Sequence, residues 1–146
     1  VTFDLDDTLY PEEEFVFSGF KVISEYIKSN YTYKFDFYRL FVSLYEDGVR
    51  GDIFNRALSM AGIEYEDELI GELVRLYRDH QPDIRLYNDA EEILRELSGR
   101  FILGLITDGY LSSQRSKVER LGIADYFDKI IFTDEFGPEA WKPSEF

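Results

Sequence analysis

The chain has 146 residues, 45% of them hydrophobic, which is enough for one folded domain with a real core and excludes a disordered polymer. Its 16 basic residues against 30 acidic ones leave a net charge of −14, which argues against a nucleic-acid partner and against an anionic membrane surface. Cysteine is absent, no apolar run approaches the roughly 20 residues of a membrane span, and no signal peptide is read; disulfides and thiolate chemistry are excluded, and the expected location is cytoplasmic.

Val1 to Phe3 form a short apolar run that predicts a strand. It leads directly into Asp4 and Asp6, one residue apart, with Thr8 and the apolar pair Leu9-Tyr10 behind them. The strand is already under way at Val1, and the chain closes at Phe146 soon after a Lys-Pro pair, so the sequence reads as part of a longer protein.

The period then changes. Phe15, Val16, Phe20, Val22, Ile23, Tyr26 and Ile27 recur at three and four, which predicts a helix from Glu12 to about Ser29. Phe35 to Tyr45 repeats that period. Asp52 is a candidate N-cap for a helix through Ala61 that Gly62 ends, and another helix is expected from Asp67 to Arg78. Residues 12 to 81 thus read as four helices with short connections.

Past Pro82, Asn88 is expected to cap a helix over Asp89 to Leu97, with Gly99 after its end. A buried-type strand from Phe101 to Ile106 breaks at Thr107-Asp108-Gly109. A helix over 113–121 stops at Gly122, and Lys129 to Thr133 gives another short apolar strand before Asp134-Glu135. Strand, helix, strand at this spacing is a βαβ unit, so the class is α/β with a parallel sheet that the first strand is expected to join. Residues 12–83 are then a helical insertion, and 1–11 with 84–146 form the core.

Each predicted strand ends in a different polar group. The acids come first. A calcium loop starting at Asp4 would need Gly in its sixth place and Glu in its twelfth, and Leu9 and Phe15 stand there, so that reading fails. A solvated acidic turn stays open on these acids alone. Thr107 puts a hydroxyl at a strand end, where Gly109 lets the backbone turn and aim amides at the same anion, although Asp-Gly is also an ordinary turn signal. Lys142 stands between Trp141 and Pro143; a lone lysine is ordinarily a solvated charge, but Pro143 would fix its backbone. In open parallel sheets ligands bind at the carboxyl ends of strands. Gathered there, these residues supply a nucleophile, a metal ligand, an oxyanion donor and a cation, the set that phosphoryl transfer needs.

Phe3-Asp4-Leu5-Asp6-Asp7-Thr8-Leu9-Tyr10 resembles the first motif of the haloacid dehalogenase (HAD) superfamily. Leu105-Ile106-Thr107-Asp108-Gly109 resembles its second motif and Trp141-Lys142-Pro143 its third, in the same order and spacing. Asp89 to Leu97, Gln114 to Leu121 and Tyr126-Phe127 resemble the linking segments of its small-metabolite phosphatases. The resemblance implies a Rossmann-like core with a helical cap inserted between motifs one and two. It implies that Asp4 is the nucleophile, forming an aspartyl-phosphate, and that Asp6 is the general acid and then the base. It further implies Mg²⁺ held by the Asp4 carboxylate and the Asp6 carbonyl. Thr107, amides near Leu5, Asp6, Asp108 and Gly109, and Lys142 would bind the phosphoryl group. Dehalogenating members lack an acid at the place of Asp6, so its presence favours a phosphatase of a small phosphorylated metabolite. A phosphomutase and a non-catalytic binding module are the alternatives. The superfamily's fourth motif, an acidic pair after a further strand, would need roughly 30 residues more, so the metal site and the sheet are expected to be incomplete within this sequence.

His80, the only histidine, reads as structural, as do most aromatic residues of the insertion, and Asp134 and Glu135 read as solvated or loop-holding.

Overall fold

The structure is a computed structural model and describes residues 1–142; Pro143, the end of the third candidate motif, lies outside the described residues. The chain forms two compact units, one made of Val1–Phe15 with the stretch from Gln81 onward, the other of Val16–His80.

The first unit is built on three parallel strands, β1 (Thr2–Phe3), β2 (Gly104–Thr107) and β3 (Lys129–Phe132), in that order across the sheet. Phe3 pairs with Leu105, and Thr107 with Phe132, so the carboxyl ends of the strands share one edge. Between β1 and β2 run helices α1 (Glu12–Asn30), α2 (Phe37–Glu46), α3 (Ile53–Met60), α4 (Asp67–Asp79) and α5 (Asn88–Leu97); α6 (Leu111–Leu121) links β2 to β3. Leu5, Leu9, Tyr10, Leu94, Leu103, Leu105, Val118 and Ile123 form this unit's buried interior. Fully burying a side chain of the Leu or Phe kind stabilises by about 1.5–3 kcal/mol. The α/β class with a parallel sheet is therefore as expected.

Two expectations shift. The middle strand begins at Gly104, not Phe101: Phe101 is 51% and Ile102 78% exposed, and both lie before the ladder. Asn88 is the first helical residue of α5, and Tyr87 holds the cap position without a side-chain bond.

In the second unit the helical period sets the core. Phe20, Ile23 and Ile27 of α1 pack with Phe37 and Phe41 of α2, Phe54, Ala57 and Leu58 of α3, and Leu73 of α4. The Asp36 side chain accepts from Arg39 N–H at 3.1 Å and caps α2. Gly19 is required by close packing, because a Cβ there would lie 2.4 Å from the Tyr77 ring. His80 is buried, with Nδ1 2.6 Å from Tyr77 O and Nε2 3.1 Å from Ser18 Oγ. A carbonyl only accepts, so Nδ1 carries the proton and, in the neutral ring, Nε2 accepts the hydroxyl; the side chain holds α4 to α1. Among the described residues no helix is long and apolar enough to cross a membrane.

Candidate active site

The first acids leave β1 on a tight turn. Thr8 N–H and Leu9 N–H both donate to Leu5 O, at 3.3 and 3.0 Å. Asp7 sits in the left-handed region (φ 54°), which aspartate tolerates better than branched residues, and its Oδ1 accepts Glu12 N–H at 2.8 Å, so the turn also starts α1.

Asp4 faces the third motif. Its Oδ1 accepts from Lys142 Nζ at 2.8 Å and from Leu5 N–H at 2.9 Å. Lys142 Nζ also donates to Ile106 O at 3.1 Å, and its backbone N–H donates to Asp108 Oδ2 at 3.0 Å. The other oxygen of Asp108 takes the Thr133 hydroxyl at 2.7 Å. Asp108, expected among the ligand-binding residues, thus uses its side chain to tie Thr133, just past β3, and the Lys142 backbone to the end of β2. Trp141 rests edge-on against Tyr110, with ring centroids 6.0 Å apart, and anchors the chain just before Lys142.

Asp6 turns toward α6. Its Oδ1 accepts from Lys117 Nζ at 2.7 Å and from the Tyr10 hydroxyl at 2.5 Å, and its Oδ2 accepts from Gln114 Nε2 at 2.8 Å. The Lys117 side chain is only 5% exposed, and its ammonium lies 4.4 Å from the Phe15 ring centroid, so this pair is far better shielded than the half-exposed Asp4–Lys142 pair. Burial, and then the Asp6 charge, push the Tyr10 phenol well above its ordinary range, which keeps it a proton-bearing donor.

Thr107, fully buried at the end of β2, joins the same cluster: Gln114 Nε2 donates to its Oγ1 at 3.0 Å and also to Asp108 O. Gly109 makes room for this amide. Its φ is 116°, and a Cβ there would lie 3.0 Å from Gln114 Nε2. Gln114 Oε1 is buried without a partner. A flipped amide would set that oxygen against the Asp6 carboxylate and Asp108 O, two groups that only accept, and they fix the orientation.

Among the described residues there is no group of three or more His, Cys, Asp or Glu side chains that could hold a metal ion. The Asp4 carboxylate and the Asp6 backbone carbonyl are hard oxygen donors, and Mg²⁺ takes one or two carboxylates and keeps several waters. These residues fit Mg²⁺ as two of its ligands.

The sequence matches the haloacid dehalogenase-like hydrolases over residues 1–145. The chain belongs to that family. Among HAD relatives it is 29% identical over 143 residues to a glyceraldehyde 3-phosphate phosphatase of Methanocaldococcus jannaschii, a match covering 94% of this chain and 63% of that protein. It is 28% identical over 156 residues to a ribulose-1,5-bisphosphate 5-phosphatase of Halopiger xanaduensis, covering 95% of this chain and 64% of that one. The chain thus spans less than two thirds of the length of these relatives. In fold it resembles the HAD-hydrolase YfnB of Bacillus subtilis, described as bound to magnesium, with a TM-score of 0.65 at 19% identity over 93% of this chain and 64% of that one.

Three residues of this HAD site lie within the segments that carry the resemblance, yet the resemblance gives them no role. Tyr10 looks like half of an apolar pair, and its hydroxyl is what reaches Asp6. Gln114 and Lys117 look like ordinary polar positions of a helix. The available signal was the stripe Ser113, Gln114, Lys117 and Val118, the buried face of α6, polar where a βαβ helix is usually apolar.

Proposed function

We propose that this chain carries the nucleophile, the general acid and the phosphate-binding residues of a Mg²⁺-dependent phosphatase acting on a small phosphorylated metabolite through an aspartyl-phosphate. Asp4 attacks phosphorus through a carboxylate oxygen. The bond from phosphorus to the ester oxygen breaks, and Asp6 gives that oxygen its proton. Water then attacks the phosphorus of the aspartyl-phosphate, Asp6 takes the proton, and the bond to Asp4 breaks to release orthophosphate. Mg²⁺, held by the Asp4 carboxylate and the Asp6 carbonyl, supplies charge neutralisation when two anions must meet. Thr107, Lys142 and backbone amides around Leu5, Asp108 and Gly109 bind the phosphoryl oxygens. Residues 12–83 serve as the cap and 1–11 with 84–146 as the catalytic core, in a cytoplasmic enzyme.

The observation that carries this reading is the Asp4–Lys142 contact at 2.8 Å, made at the strand edge where Gln114 joins Asp6 to Thr107. Both curated relatives above are named as phosphatases of small phosphorylated sugars, which supports the substrate class. The test is release of inorganic phosphate from 4-nitrophenyl phosphate and a panel of sugar phosphates, with Mg²⁺ and with a chelator. Mg²⁺-dependent release is expected. Transfer of the phosphoryl group to a second hydroxyl, without net release, would instead indicate a mutase.

A further inference from the structure

The carboxylate of Asp6 does not project from its turn unsupported. Three donors from two directions meet it: the Tyr10 hydroxyl from its own loop, and Lys117 Nζ and Gln114 Nε2 from α6, one turn apart. Lys117 is an expensive residue to bury, and a buried ammonium persists where a specific partner is gained. Here that partner is a single oxygen of Asp6 at 2.7 Å, with the Phe15 ring against the ammonium. Gln114 goes further, since the amide that reaches Asp6 Oδ2 also reaches Thr107 Oγ1 and Asp108 O.

We propose that Gln114 and Lys117 are positioning residues: α6 presents them as a two-pronged cradle that, with the Tyr10 hydroxyl, aims the Asp6 carboxylate and couples its direction to the Thr107 hydroxyl. This rests on the phosphatase reading above, in which Asp6 moves the proton and Thr107 binds the phosphoryl group. Neither cradle residue is assigned a contact with substrate; each acts through Asp6. A group that transfers a proton must sit within hydrogen-bond reach of its target, and a displaced carboxylate loses that reach while the nucleophile Asp4, held separately by Lys142 and Leu5 N–H, keeps its place.

The cradle is tested by the pre-steady-state burst of phosphoenzyme formation in Lys117→Met and Tyr10→Phe, with an alkyl phosphate and with 4-nitrophenyl phosphate. The alkoxide needs its proton and the nitrophenolate hardly does. The burst rate should fall on the order of 10–100-fold with the alkyl phosphate and less than about 3-fold with the aryl phosphate, within the range that general acid catalysis contributes. Tyr10→Phe deletes one hydroxyl from an otherwise unchanged ring, so it reads the same signature if Lys117→Met does not fold. Equal losses with both substrates, or no loss with either, would overturn the cradle. Failure of the underlying reading shows differently: Asp4→Asn would then retain its burst, whatever the cradle variants do.

Discussion

Lys142 Nζ reaches Asp4 Oδ1 at 2.8 Å across 138 residues of chain, and Asp108 holds the lysine's own backbone N–H at 3.0 Å. The two contacts act at opposite ends of one residue. Asp108 fixes where the lysine starts, and Asp4 and Ile106 O fix where its ammonium ends.

Lys142→Met should therefore separate activity from stability. The side chains of the pair are 42% and 47% exposed, and ion pairs of that kind contribute about 0–1 kcal/mol to folding. Removing a cation that meets the transferring phosphoryl group should lower kcat by about 10²–10³. Steady-state kinetics beside a urea titration checks both halves; a stability loss matching the activity loss would assign Lys142 to the scaffold.

Gly109→Ala is expected to fail for two local reasons. The new Cβ meets Gln114 Nε2 at 3.0 Å, and φ of 116° lies where side chains are strained, at a cost of about 1–3 kcal/mol. Gln114 must then move away from Asp6 and Thr107. Chemical denaturation should show the destabilisation, and phosphate release should fall as well.

Asp134 acts at a distance from the chemistry. Its Oδ2 accepts Leu111 N–H at 3.0 Å, capping the first turn of α6 from another segment, while the Tyr110 side chain at the cap position does not cap the helix. Asp134→Ala should cost about 1 kcal/mol, the ordinary worth of a helix cap, with Asp134→Asn costing less. Urea midpoints of the two variants against the parent measure this.

How far the sequence was legible follows from which physical signals are local. Periodicity placed α1, α2 and α4 nearly to the residue, because Phe20, Ile23, Phe41 and Leu73 had to share buried faces. It overextended the middle strand to Phe101, since an apolar run does not reveal where ladder pairing with β1 begins, and Gly104 pairs with Thr2. The approach of Lys142 to Asp4 was expected only through the order of the motifs, and no local pattern spans such a separation. Tyr10, Gln114 and Lys117 stayed hidden because their role lies in polar atoms buried by tertiary contact, which neither period nor motif reports. Asp134, read as solvated or loop-holding, holds the start of α6, and Glu135 pairs with Arg115 at 2.7 Å.

Asp4 is expected to carry the phosphoryl group between substrate and water. Rapid-quench mass spectrometry of the protein during turnover of 4-nitrophenyl phosphate with Mg²⁺ should find a phosphoryl adduct on the peptide bearing Asp4, and Asp4→Asn should show neither adduct nor turnover. Turnover persisting in Asp4→Asn, or an adduct on a different residue, would contradict it.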